Sequence, residues 1–197
     1  GTELLQLRAH GGGIRKRLVA RTLLGGASVV VTNSEWTRAQ TLELLTRLDI
    51  PVRADQVFAV PLGADLDRFR NGLDTAAVRA KYGLNGGRWM LTVGRLVEHK
   101  GQDQGLRALA LLRESEPQLR YAVAGSGAYG AKLCALAEEL GVVDRVKFIG
   151  HVADDDLPAL YNVAELYLGA SRVAVNHVEG LGISLVEAAA PSLPVMA

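Results

Sequence analysis

Along this 197-residue chain the apolar positions switch repeatedly between short β-branched runs and the three-and-four spacing of an amphipathic helix. "ASVVVTNS" (27–34) reads as a strand ending in Asn33 and Ser34, two good helix caps, and "EWTRAQTLELLTRL" follows as a helix. "QVFAVPLGAD" (56–65) is the next predicted strand, and it leaves into a glycine-containing turn. Between Asp67 and Gly87 the pattern turns polar and rich in Gly and Asn, with a short helix near "TAAVRAKYG". That shift places a domain boundary here, dividing residues 1–68 from 69–197.

A second series then begins. "RWMLTVGR", "LRYAVAG", "RVKFIGHV", "ELYLGAS" and "PVMA" each predict a strand. Between them "QDQGLRALALLRES", "AKLCALAEELG", "DDDLPALYNVA" and "GISLVEAAA" predict helices. Leu133, Leu136, Ala137 and Leu140 share one face of the second helix. Leu157, Leu160, Tyr161 and Ala164 form the stripe of the third, with aspartates as its caps. Strands spaced by single helices argue for an α/β fold with a doubly wound parallel sheet.

Composition narrows the class. The chain is 49% hydrophobic and 22% charged, ordinary for a globular protein and enough for one good core or two modest domains. Lys and Arg number 22 against 21 Asp and Glu, so net charge is +1 and no nucleic-acid partner is expected. The one basic stretch, "RAHGGGIRKRLVAR", reads as a solvated helix face, with anionic lipid or an acidic acceptor as the other reading. The single cysteine, Cys134, cannot form an internal disulfide and fits a reducing compartment. No apolar run is long enough to span a membrane, and no signal peptide is evident. The expected location is cytoplasmic. The chain opens without Met and stops at "SLPVMA", in the middle of a predicted strand, so a fragment of a longer polypeptide is expected.

Three stretches carry candidate chemistry. In "AVAGSGAYG", Gly125, Gly127 and Gly130 have the G-x-G-x-x-G spacing of a dinucleotide fingerprint. That fingerprint belongs on the first strand of its domain, with an acid ending the second strand. Here the glycines follow the second strand, and Asp144 precedes a strand instead of ending one. A tight strand-to-helix turn is the better reading, and nicotinamide binding is set aside.

The first strand of the series runs into "TVGRLVEHKG". Gly94 lets the backbone turn, while Arg95 and Lys100 place two cations at the C-terminal edge of a parallel sheet, where ligands bind in such folds. A guanidinium fork and a mobile ammonium suit a diphosphate, and a solvated surface pair is the alternative. In "VEGLGISLVEAAA", Glu179 lies in a loop, Gly180 and Gly182 open the backbone, and Glu187 sits one to two turns into a helix. The helix start favours an anion, and ionised carboxylates accept from sugar hydroxyls. The alternative is that Glu179 favours the dipole and Glu187 is only a good helix former.

These stretches resemble a known family. "EGLGISLVE", with seven residues between Glu179 and Glu187, is similar to the E-x7-E motif of retaining glycosyltransferases of group 1 (family 4, GT-B fold). "VGRLVEHKG", "DRVKFIGHVADDDLPALYNVAELYLGAS", "VVVTNSEWTR" and "VPLGADLDRF" resemble further segments of that family, in order along nearly the whole chain.

The resemblance implies a GT-B-type pair of Rossmann-like domains, with 1–68 a remnant of the acceptor-side domain and 69–197 an incomplete donor domain. It implies transfer of a sugar from a UDP- or GDP-linked donor to an acceptor hydroxyl, with lipid- and glycan-linked acceptors both open, without a metal or a cofactor. Arg95 and Lys100 would neutralise the leaving diphosphate, and Glu179 would lie near the reacting carbon. Gly94, and the amides of Gly180, Leu181, Gly182 and Ile183, would hold sugar and phosphate. Glu187 would bind ribose, with His151 and Val152 at the nucleobase. Two alternatives stay open, a nucleotide-sugar-binding domain without turnover and an epimerase of the same fold. A phosphorylase would need a pyridoxal-phosphate lysine, and none is identified. The family's glycine loop, its catalytic-side histidine and its returning C-terminal helices have no counterpart in these residues. Peripheral contact with the inner membrane face would run through the N-terminal domain that is missing from these residues.

Overall fold

The computed structural model describes residues 18, 21–22, 24–172 and 182–197. It divides into two compact units, one of the described residues up to Leu62, the other Gly63–Arg172 with Gly182–Ala197.

In the first unit, β1 (Val30–Thr32) and β2 (Val57–Ala59) pair in parallel, joined by α1 (Glu35–Arg47). Ser34 caps α1 as its sequence predicts, accepting from the Thr37 amide at 3.1 Å. Leu44, Leu45, Leu48, Ile50 and Val57 form a small core, whereas Trp36 on α1 is 42% exposed.

The second unit is a five-stranded parallel sheet. Its elements are α2 (Ala76–Tyr82), β3 (Arg88–Val93), α3 (Gln102–Leu111), β4 (Leu119–Ala124), α4 (Gly130–Glu139), β5 (Val146–Gly150), α5 (Leu157–Val163), β6 (Leu166–Leu168), α6 (Ile183–Ala189) and β7 (Val195–Met196). The strands lie in the order β5-β4-β3-β6-β7. The chain therefore winds one way from β3 to β5, then returns to the other side of β3 with β6. That reversal opens a crevice beyond the C-terminal ends of β3 and β6.

Both sheet faces are covered, as a parallel sheet requires. Trp89 and Leu91 of β3 and Ala122 and Ala124 of β4 pack with Val78, Leu160, Tyr161 and Ala188 on one side. Met90, Tyr121 and Val123 pack with Leu106, Leu109, Leu133 and Ala137 on the other. The alternation is the period-two rule of a strand. Trp89 is 3% exposed, and its indole donates to the Gly86 carbonyl at 2.8 Å.

The aspartate caps expected at α5 form differently. Asp154–Asp156 make a 3-10 turn, and Asp156 at the cap position makes no side-chain bond to the helix. Its carboxylate accepts instead from Lys81 and Tyr82 of α2, both at 2.7 Å. A charged partner offers more than a backbone amide here.

Candidate functional site

Beyond Val93 the chain turns at Gly94 (φ 155°), a left-handed geometry that a side chain rarely adopts. Arg95 follows, exposed, and a 3-10 turn over Glu98–Lys100 brings the half-buried Lys100 back. Its Cε lies 3.9 Å from where a Cβ on Gly94 would stand, so the lysine stem covers the strand end. Two cations therefore stand on one loop at the crevice.

The glycine run after β4 lies against this loop. The Gly94 amide donates to the Ala124 carbonyl at 2.9 Å, Leu96 to Ser126 at 2.9 Å, and Tyr129 to Leu96 at 3.0 Å. A Cβ at Gly125 would stand 1.9 Å from the Gly94 carbonyl oxygen, and one at Gly127 2.3 Å from that of Leu96. The Gly125 amide also donates to Gly150 at 2.7 Å, tying in the end of β5. The glycines thus let three strand ends pack backbone on backbone.

The β6 end is pinned to the same loop from the other side. Gly101 (φ 70°) runs so close to Ala170 that a Cβ would stand 1.8 Å from its carbonyl oxygen. The Arg172 amide donates to His99 at 2.7 Å, and its guanidinium to the Glu98 carbonyl at 2.9 Å and to buried Asp103 at 2.8 Å. Glu179, Gly180 and Leu181, and with them the first carboxylate of the spaced pair, lie outside the described residues.

Helix α6 begins at Gly182, which caps it without a side-chain bond, and Ile183 is exposed on its first turn. Ser184 and Glu187, three residues apart, share one face. Tyr167 of β6 donates to Ser184 Oγ at 2.8 Å or to the Val93 carbonyl at 3.2 Å. That single hydroxyl sets the start of α6 beside the end of β3. Tyr161 of α5 donates to Glu187 Oε2 at 2.9 Å. Burial, with Tyr167 and then Glu187 beside it, pushes the Tyr161 hydroxyl well above its ordinary value, so it keeps its proton.

His151 is exposed just past β5, on the same sheet edge, whereas the Val152 side chain is 6% exposed and packs into the core. Several contributors have no signal in the sequence pattern. Gln102, 1% exposed, donates from Nε2 to the Arg95 carbonyl at 3.0 Å, and its Oε1 is buried without a partner among the described residues. Tyr161 reads as part of an apolar stripe, Tyr167 as a strand residue and Arg172 as a loop cation. Only a polar tip on an otherwise buried ring hints at more.

Among the described residues no group of three or more His, Cys, Asp or Glu is placed to hold a metal ion. None of their helices is long and apolar enough to cross a membrane.

Comparison with known proteins fits this arrangement. Residues 74–197 match the family "Glycosyl transferases group 1". The GDP-mannose-dependent alpha-(1-6)-phosphatidylinositol monomannoside mannosyltransferase of Mycobacterium tuberculosis (strain ATCC 25618 / H37Rv) is 35% identical over 184 residues, covering 92% of this chain and 46% of the relative. The D-inositol 3-phosphate glycosyltransferase of Rhodococcus jostii (strain RHA1) is 38% identical over 183 residues, covering 87% of this chain and 39% of the relative. The chain thus spans under half the length of these curated relatives. Anabaena Alr3699/HepE, solved in complex with UDP and glucose, aligns with a TM-score of 0.76 at 25% identity, over 94% of this chain and 48% of that one. The fold is the α/β, GT-B type with a parallel sheet. The matched family model covers more than half of the sequence, and the chain belongs to the glycosyl transferases of group 1.

Proposed function

We propose that this chain is the donor-binding part of a retaining glycosyltransferase of the family 4 type, which moves a sugar from a nucleoside-diphosphate sugar to an acceptor hydroxyl. The observation that carries the reading is that Tyr167 bonds both to Val93, at the end of β3 where the Arg95–Lys100 loop leaves, and to Ser184 at the start of α6, at the sheet reversal. In this reading Arg95 and Lys100 stabilise the departing diphosphate, in place of a metal and without a cofactor. Oriented cations in a partly dry cleft typically contribute about 3 kcal/mol each to such charge stabilisation. Gly94, Gly180, Leu181, Gly182 and Ile183 supply close backbone to sugar and phosphate, and Glu179 faces the reacting carbon. Glu187 accepts from the ribose, and the backbone at His151 and Val152 reads the base. Residues 1–68 would then belong to the acceptor side and 69–197 to the donor side, the acceptor entering from the former.

The donor is a UDP- or GDP-linked sugar. Support comes from a relative named for GDP-mannose and a structural neighbour solved with UDP. Binding and turnover are measured with radiolabelled UDP-, GDP- and ADP-sugars, for the full-length gene product and for its Glu179→Ala and Lys100→Ala variants. Wild type binds one donor class, and each variant loses binding, turnover or both. If both variants kept both activities, the assignment would be wrong.

A further inference from the structure

We propose that Tyr161 is a positioning residue that orients Glu187 toward the ribose of a bound nucleoside diphosphate; this rests on the nucleotide-sugar reading above. The hydroxyl holds Oε2 at 2.9 Å, and among the described residues no second partner reaches Oε1. One carboxylate oxygen is thereby fixed and the other left to accept from a hydroxyl.

Three features make the arrangement more than helix packing. First, the ring cannot swing. Tyr161 is fully buried, edge-on to Phe69 with centroids 5.9 Å apart at 64°, and tilted against Tyr167 at 5.9 Å and 46°. Second, Glu187 is half-buried, yet among the described residues it pairs with no Lys or Arg. A structural carboxylate in such a place is normally neutralised by a cation, whereas a binding carboxylate keeps acceptor capacity for its ligand. Third, Ser184 on the same face is held by Tyr167. Two neighbouring tyrosines thus fix the polar face of a two-turn helix at the crevice, the kind of outer support that precise sites require.

The test compares ribonucleotides with their 2′-deoxy forms. GDP, UDP, 2′-deoxy-GDP and 2′-deoxy-UDP are titrated calorimetrically into the chain, Glu187→Ala and Tyr161→Phe, with thermal unfolding read alongside. Wild type favours the ribonucleotide, and Glu187→Ala brings the ratio close to one. Tyr161→Phe weakens ribonucleotide binding by about three- to tenfold, the effect of one lost hydrogen bond, while deoxynucleotide binding changes less than about twofold. Equal weakening of both, or an unchanged ratio, would make Tyr161 a packing residue and overturn the proposal. An unchanged ratio in Glu187→Ala would instead sink the ribose assignment itself. Should Tyr161→Phe fail to fold, site-specific 3-fluorotyrosine at position 161 keeps the shape and strengthens the donor. It must raise the ribo preference, and an unmoved ratio overturns the proposal.

Discussion

The loops after β3 and β4 each open on a glycine, Gly94 and Gly125, and these two glycines serve opposite purposes. At Gly94 the missing side chain serves the backbone turn, because an added Cβ would meet only the Lys100 stem at 3.9 Å. At Gly125 it serves the neighbour, because an added Cβ would stand 1.9 Å from the Gly94 carbonyl oxygen. Gly94 keeps open space, with Arg95 and Lys100 on the same loop. The space beside Gly125 is filled with main chain, as is that beside Gly101 at the far end of the first loop. A spacing of glycines therefore carries no function by itself; what stands opposite each one decides.

The contrast is easiest to break by adding a methyl group. Gly125→Ala should lower unfolding free energy in urea by at least about 3 kcal/mol, since both its φ of 132° and a carbonyl resist the change. Gly94→Ala, with the same methyl and a free space, should lose only about 1–2 kcal/mol. Equal losses would erase the distinction between the loops. The complementary test removes chemistry and leaves the backbone alone. Arg95→Ala should shift stability by no more than about 0.5 kcal/mol, because the side chain is exposed. Calorimetric affinity for GDP or UDP should nevertheless fall by about 1.5–3 kcal/mol, roughly tenfold or more.

The smallest effect lies at the start of α5, where Asp156 meets Lys81 and Tyr82 of α2. Lys81, then Tyr82, hold the Asp156 carboxyl below its ordinary value. A lowered value means stability present above the unfolded carboxylate range and lost as pH falls through the folded one. Asp156→Asn should therefore flatten the acid limb of the melting curve slightly, below about pH 4, and leave nucleotide affinity untouched.

Most of the second unit is legible in the sequence because its signals are carried by side chains. Trp89 to Val93 and Leu119 to Ala124 are apolar enough to mark strands buried on both faces, and Leu133 with Ala137 marks the covered side of α4. Placing Gly94, Arg95 and Lys100 at the C-terminal edge needs only the strand order. The close approach of Gly125 to Gly94, and of Gly101 to Ala170, is different. Those contacts join backbone to backbone, so no residue type records the partner. Tyr161 failed for another reason. Periodicity tells which side of α5 is buried, but not that one hydroxyl on that side meets a carboxylate 26 positions later. Asp156 likewise passes for a local cap until its partner, 75 positions earlier, is known.

The depth at which Trp89 is buried gives the chain an optical label of its own. There are two tryptophans, one in each unit, and they differ in environment: Trp36 is 42% exposed and Trp89 is 3% exposed. Their emission will differ in wavelength and in access to a quencher such as iodide. With Trp36 replaced by Phe, fluorescence follows the second unit alone, so its melting can be timed separately from that of the first.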